Sequence, residues 1–535
     1  MNKHWLCSLL LLGCGGRPEA WDAPFTPTAP VGLDNAVVVM DTTLARALVL
    51  TSPGALELRE DVLPVGQHVV KAQASPDGKR LFVLSRGVWP RRNPSDEHPR
   101  LTVIETDPAP RVVKTYEFDD PLSGLVVDSD NEWAVLYVTN DDSRTVTNPN
   151  EIFLLHLSEL DRDPIPVTVQ SLSGSPQSFS FTGTLHVPNG APRRLLVVEM
   201  QNEVTLVDLL PALGDLERTT SQVTIQMSLN QQGQNATPAE VVFHDADAAS
   251  GIDPQLAVRL TGDTNVMLLP LVAPSSSSTH PFSVVPNLVD VGGQASTVRF
   301  VNTDDGVRLV ALVPSKLSAG LVDPSTGNVT SVTLAKPFTG IALVTAELAT
   351  DASATDIALL WSNTTPTIGL WDLGKATTAA THGIDTLQVG ASVRDVLNVP
   401  GDAFPTSKIL QGQSGDFYVL DLKARRSSPM ATNGHTYQLT FAPDGQSRRL
   451  WAFAPSQEDF SSVELGTLNP TELHADSPVW SVFDIAQSGG AGGRSAIVLH
   501  QTGGTLGATV LDAVAPDTAN TRFYSGLAYG GLSHE

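Results

Sequence analysis

The chain is short of cysteine, of charge and of aromatic residues, and each shortage removes a class of protein. Two cysteines in 535 residues cannot form a disulfide framework. Charged residues make up 17% and aromatics 6%, against 42 glycines and 38 prolines. A turn residue every few positions breaks the chain into short segments and disfavours long helices. No apolar run reaches the roughly 18 residues that a membrane-spanning helix needs. Positive charge is scarce as well, with 33 lysines and arginines against 57 aspartates and glutamates and a net charge of −24. Nucleic-acid phosphates would be repelled over most of such a surface, so no nucleic-acid partner is expected. Catalytic signatures are missing too: no G-x-S-x-G, H-E-x-x-H, C-x-x-C-H or Walker loop occurs, and the 12 histidines have no ligand spacing.

What is present is a hydrophobic share of 41%, enough for a large core, and one short unit that returns along the chain. Its clearest copy is residues 74–85, Ala-Ser-Pro-Asp-Gly-Lys-Arg-Leu-Phe-Val-Leu-Ser. Pro76 pre-sets the first turn corner, Asp77 can bond back to its own backbone, and Gly78 takes the left-handed position that closes the turn. The same strand, turn, strand grammar recurs at 441–453 (Phe-Ala-Pro-Asp-Gly-Gln-Ser-Arg-Arg-Leu-Trp-Ala-Phe) and, more weakly, at 127–140, which ends Tyr137-Val138-Thr139-Asn140.

That ending, together with the Ser-Pro-Asp-Gly-Lys-Arg of the first copy, resembles the YVTN family of β-propeller repeats. From Val37 onward apolar runs of four to seven residues alternate with clusters of Gly, Pro, Asp, Asn and Ser, and no 3.6-residue period is sustained. The chain therefore reads as all-β, a β-propeller of four-stranded blades. An acidic residue closing a strand recurs at Glu105, Asp208, Asp323, Asp372, Asp421 and Asp512. Roughly ten units can be segmented, whereas closed propellers typically have four to eight blades. One ring of seven or eight blades with insertions is the expectation, with more blades or two tandem wheels as alternatives.

The first 14 residues have a positive start, a short apolar run and a small residue before cysteine, the layout of a bacterial export signal. Leu11-Leu12-Gly13-Cys14 resembles the lipobox of bacterial lipoproteins. The resemblance implies removal of residues 1–13, acylation of Cys14 and, with Gly15 instead of aspartate after it, an outer-membrane destination. Residues 14–33, with Pro18, Pro24, Pro27 and Pro30, read as a lipidated tether, and 34–535 as the propeller.

Two stretches carry candidate chemistry. The loop at 86–100 gathers Arg86, Arg91, Arg92 and Arg100 beside Trp89 in an otherwise acidic chain. Guanidinium groups next to an indole suit a partner's carboxylates or phosphates, although Asp96 and Glu97 could satisfy the arginines locally. The stretch 243–258 resembles the calcium loops of integrin-type propeller repeats, with Asp245, Asp247 and Asp253 as oxygen donors and Gly251 at the bend. Ala248, Ala249 and Ser250 stand where that motif has carboxylates, so the expected site is weak or empty. No other cofactor is expected.

The sequence thus points to a lipid-anchored, non-enzymatic propeller of the bacterial cell envelope that binds a protein or glycan. The alternative is an exported propeller enzyme, a lactonase-like hydrolase or a quinone-dependent dehydrogenase, whose catalytic residues have no counterparts that can be placed on this chain one by one. Lipid anchoring makes a direct prediction, because acyl chains contribute about 0.8 kcal/mol per buried CH₂ and more than one chain is needed for stable attachment. Cys14→Ser should move the protein from the membrane pellet to the soluble fraction. Retention in the pellet after a high-salt wash would rule out anchoring through this residue.

Overall fold

In the computed structural model the repeated turn forms as its residues dictate. Ser75 N donates to Arg80 O at 2.8 Å and Gly78 N to Ser75 O at 2.9 Å, with Gly78 at φ +67° and the Lys79 amide 3.3 Å from Asp77 Oδ1. A side chain at Gly78 would also collide with Asp34 Oδ1, 2.2 Å from the position of its Cβ. In the copy at 127–140, Asn131 takes the left-handed corner at φ +59°, while Asp128 N donates to Trp133 O at 2.8 Å; asparagine tolerates that corner better than most residues. The structure describes residues 24–534 except 172–173, 189, 210–221, 228–235, 247–250, 275–279, 281, 349–354, 378–381, 399–406, 431–437, 443–445, 490–491, 503 and 529–532. The turn of the copy at 441–453 falls largely outside them, between strands Gln438–Thr440 and Arg449–Phe453.

Ten antiparallel sheets follow one another through the described residues, each a meander whose strands pair in chain order. These are blades 1 to 10, at residues 31–64, 69–117, 124–168, 178–226, 237–290, 297–333, 340–388, 393–429, 438–474 and 479–534. Blade 5 divides its fourth strand into Ser283–Val284 and Asn287–Asp290, both paired with Asn265–Val272, and blade 10 adds a fifth strand, Ser533–His534. The all-β propeller architecture of four-stranded blades is thus present, but the expected seven or eight blades are ten. Each unit visible in the sequence closes its own ladder and is no hairpin inside a longer blade. Blade 1 also starts ahead of residue 34, with Val31–Gly32 as its first strand, Phe25 buried and Thr28 N bonded to Met40 O at 3.0 Å.

All six acidic marks fall at the end of a blade's third strand or one residue beyond it. Their role is local: Asp323, Asp372, Asp421 and Asp512 each accept a backbone amide two or three residues ahead, at 2.8–3.1 Å, and so shape the turn into the fourth strand.

The chain divides into two compact units, residues 1–123 with 437–535, and residues 124–436. Within the second unit blades 3 to 8 pack face to face in sequence order. Successive residues of one strand serve opposite neighbours: Leu196 and Val198 pack towards blade 3, and Leu195 and Val197 towards blade 5. Alternation at period two is what a strand buried on both faces requires. Arg194 adds a polar clamp, its guanidinium bonded to Asp128 and Glu132 and lying 2.8 Å from Asp130, which ties the turn of blade 3 to blade 4.

In the first unit the order is blades 9, 10, 1 and 2, so the beginning and end of the chain meet. Val37, Val39, Leu48 and Leu50 of blade 1 pack on Ile485, Ile497, Leu499 and Val510 of blade 10. Each fully buried side chain of this kind contributes roughly 1.5–3 kcal/mol, against about 1 kcal/mol for a typical hydrogen bond, so apolar contact dominates the junction. Polar ties fix its register: Ala486 N to Asp34 O at 2.7 Å, Ser52 Oγ to Ser495 Oγ at 2.8 Å, and Arg46 Nη2 to Ala528 O at 2.6 Å. Tyr524, 1% exposed, donates its hydroxyl to Leu56 O at 2.8 Å and accepts Leu58 N at 3.2 Å. Tyr524→Phe leaves both backbone groups without this partner and should cost about 1–3 kcal/mol. The expected reading is a lower urea midpoint at unchanged slope; an unchanged midpoint would show that the tie adds nothing.

Candidate binding site

The loop rich in arginine leaves blade 2 where Ser85 pairs with Arg100, between strands Arg80–Ser85 and Arg100–Glu105. Its base is tied on both sides by backbone bonds. Arg86 N and Gly87 N donate to His68 O and Gln67 O, and Val88 N to Glu97 O, all at 3.0 Å. Gly87 sits at φ +61°, and a Cβ there would lie 2.4 Å from Glu97 O and 2.6 Å from His98 O. Glycine is therefore required where the two arms cross.

The two acids of the loop do different work. Asp96 accepts the Arg92 and Asn93 amides at 2.7 and 2.9 Å, and these backbone bonds hold its carboxyl below the ordinary aspartate range. Glu97 pairs with the Arg100 guanidinium and accepts Gln67 N at 3.2 Å. Arg91 Nη1 lies 3.1 Å from His98 Nδ1. Because a guanidinium can only donate, that ring nitrogen is the acceptor, and its 3.4 Å approach to Phe118 O is a contact without a shared proton. Of the expected quartet, Arg100 is thus a strut of the loop and Arg91 is oriented by His98. Arg92 is exposed, with no ion-pair partner among the described residues.

Trp89 is half-buried. With Arg86, Val88, His68 and Val70 it helps to wall a pocket of about 540 Å³. The pocket joins an apolar wall, including Val70 at 40% exposure, to one guanidinium-bearing residue, Arg86. Such a combination favours a partner that presents an acidic group beside an apolar one.

At the second candidate, Asp247 lies outside the described residues. Asp245 is engaged by His186, whose backbone N and ring Nδ1 each approach one of its oxygens at 2.6 Å. Desolvation works to raise the Asp245 carboxyl, but His186 and the Ala246 amide outweigh it and hold the group below its ordinary range. Asp253 is exposed, and Gly251 takes the left-handed bend at φ +68°. No cluster of three or more metal-ligating side chains occurs among the described residues.

Sequence reasoning passed over a pair of carboxylates in blades 4 and 5. Burial pushes the Glu199 carboxyl up, against the Ser178 hydroxyl and the Arg259 charge, and the nearby Glu240 adds to the rise. A raised carboxyl is what an acid catalyst needs. Glu240, however, is fully occupied: Arg259 Nε is 3.2 Å away, Thr297 Oγ1 3.1 Å and Val298 N 3.2 Å, so it pins blade 5 to blade 6. Only the valine-rich Thr237–His244 strand around Glu240 was available as a signal, and it reads as core.

No family model and no curated protein matches the chain, so the resemblance to YVTN repeats rests only on the residues quoted above. Among solved structures the chain is similar to the dihydro-heme d1 dehydrogenase NirN in complex with DHE, at 12% identity and a TM-score of 0.38, covering 85% of this chain and 80% of that one. It is also similar to Saccharomyces cerevisiae Sqt1, at 14% identity and a TM-score of 0.42, covering 71% and 93%. At these values the likenesses carry no functional argument, and the propeller fold is read from the chain's own blades.

The His186 contact sets the expectation for calcium. A cation would have to compete for Asp245 with few other carboxylates to assist, and affinity follows ligand charge. Millimolar calcium should leave the thermal midpoint unchanged. A clear rise that vanishes in Asp247→Ala would establish a site.

Proposed function

We propose that the chain is a non-enzymatic binding scaffold of the bacterial cell envelope, held at the outer membrane through lipid on Cys14, and that it engages an acidic protein or glycan through the 86–100 loop of blade 2. The observation that carries this reading is the pocket walled by Trp89 and Arg86, in a loop that also exposes Arg92, in a chain whose net charge is −24. Local reversal of sign steers an acidic partner to one place, and a half-buried indole next to a pocket supplies the apolar anchor that charge alone lacks. The base of the loop is rigid and its tip accessible, an arrangement that limits the ordering cost of association.

The division of labour among the arginines sharpens the test. Replacing Trp89, Arg91 and Arg92 together by alanine should weaken association by several kcal/mol and leave the far-UV circular dichroism unchanged, since none of the three carries a blade ladder. Arg100→Ala is the contrast: it removes the partner of Glu97 and should disturb the loop itself. Recovery of co-purified partner from solubilised envelope, wild type against triple variant, is the measurement. Unchanged recovery with an unchanged spectrum would sink the proposal. The charge-dependent part should fade as salt rises, because exposed charges are screened within about 8 Å at physiological ionic strength.

A further inference from the structure

A second cationic pocket lies where blade 9 meets blade 10, and it is independent of the 86–100 loop. Its volume is about 370 Å³, and Arg448, Arg449, Arg494, Glu464 and Val514 are among its lining residues. We infer that this pocket binds a small organic anion through a carboxylate or phosphate group, with Arg448 and Arg449 as its cationic contacts.

The argument rests on a comparison between two blades of the same chain. In blade 2 the first residue of the second strand, Arg80, lies opposite the last residue of the third, Glu105, and the two form an ion pair at 3.0 Å. Blade 9 has the same register, with Arg449 opposite Glu464. There the pair is not made. Arg449 instead donates Nε to Val514 O at 3.1 Å and Nη1 to Ser462 Oγ at 3.2 Å, while Glu464 accepts the Thr467 hydroxyl at 3.0 Å. Both acceptors of Arg449 are neutral, so its guanidinium is fixed in place with no ion-pair partner among the described residues.

Arg448 beside it is exposed and has no ion-pair partner among the described residues. The rear of the pocket is built on a buried hub. Asp484, 1% exposed, accepts Arg494 Nε at 2.6 Å, Ser447 Oγ at 2.5 Å and Trp451 Nε1 at 3.2 Å. Ser447 in turn accepts Arg449 N at 3.1 Å. Arg494 is therefore paired with Asp484 and acts as wall, whereas Arg448 and Arg449, which outnumber the single Glu464 carboxylate beside them, supply the positive charge. A guanidinium already oriented by its own hydrogen bonds loses little freedom on meeting an oxyanion, and its fork matches carboxylate and phosphate oxygens equally well. Val514, 62% exposed, offers the carbon part of the ligand an apolar surface.

The test uses the full chain and two anion probes, pyrophosphate and succinate, titrated by calorimetry at low salt. Saturable binding of either probe is expected, and which of them binds identifies the anionic group. Arg448→Gln, a change at an exposed side chain, and Arg449→Gln should each weaken it about tenfold or more, the loss that follows from removing a hydrogen bond to a charged group. Arg80→Gln, which removes the blade 2 ion pair, should leave binding unchanged. Absence of saturable binding up to about 10 mM of both probes, or equal binding by wild type and Arg448→Gln, would overturn the assignment.

Discussion

A blade of this chain cannot be stable alone, because its central strands are apolar on both faces. The strand Ala36–Asp41 is buried along its whole length, with Val37 and Val39 facing blade 10 and Val38 and Met40 facing blade 2. A sheet built this way must be flanked on both sides, and the requirement passes from each blade to the next. Blades 1 and 10, the first and last among the described residues, satisfy it with one another. That is the physical reason the ends of the chain share a unit, and why Tyr524, Ser52 and Arg46 reach across several hundred residues.

The same constraint decides where charge goes. Blade edges are the only places where a guanidinium can stay hydrated or meet an acid, and most arginines sit there in pairs: Arg46 with Asp41, Arg80 with Glu105, Arg193 with Asp208, Arg259 with Glu240 and Arg494 with Asp484. Pairs partly exposed on both sides, such as Arg80 with Glu105, contribute at most about 1 kcal/mol each and set register more than stability, whereas in Arg494 with Asp484 the carboxylate is buried. Against that pattern, an ordered arginine with only neutral acceptors, such as Arg449, or an exposed one with no ion-pair partner among the described residues, such as Arg92, departs from structural use.

Much of the fold was legible because its signals are local. The Pro-Asp-Gly corner at 76–78, the acid at the end of the third strand and the short apolar runs all lie within a few residues, and each appears in the structure where the sequence places it. The ten units could be segmented in the sequence, but seven or eight blades were expected because closed propellers typically have four to eight, and uneven connections such as 86–99 in blade 2 left no fixed period to weigh against that range. Glu464 escaped notice as a seventh acidic mark because Ser461 and Ser462, both buried, interrupt the apolar run of its strand. The candidate sites were harder to read. Nothing in one dimension says that Asp96 caps amides while Glu97 takes Arg100, and the second pocket draws on residues up to 68 positions apart, from Gln446 to Val514.

Strand polarity places the two pockets of the first unit at opposite ends of its blades. Ser447 touches Asp484, Ala486 N reaches Asp34 O, and Asp34 N reaches Gly78 O. This chain of contacts joins the turns between first and second strands in blades 9, 10, 1 and 2 along one rim. Arg448 and Arg449 belong to that rim, whereas the Trp89 loop begins at the far end of Arg80–Ser85. Six residues of strand span about 20 Å, more than two Debye lengths in physiological salt. Charge bound at one rim is therefore screened from the other, and the intervening blades are packed at core density and do not flex to relay it. A ligand on one face and a partner on the other can be held at once, each with the affinity its own side chains set.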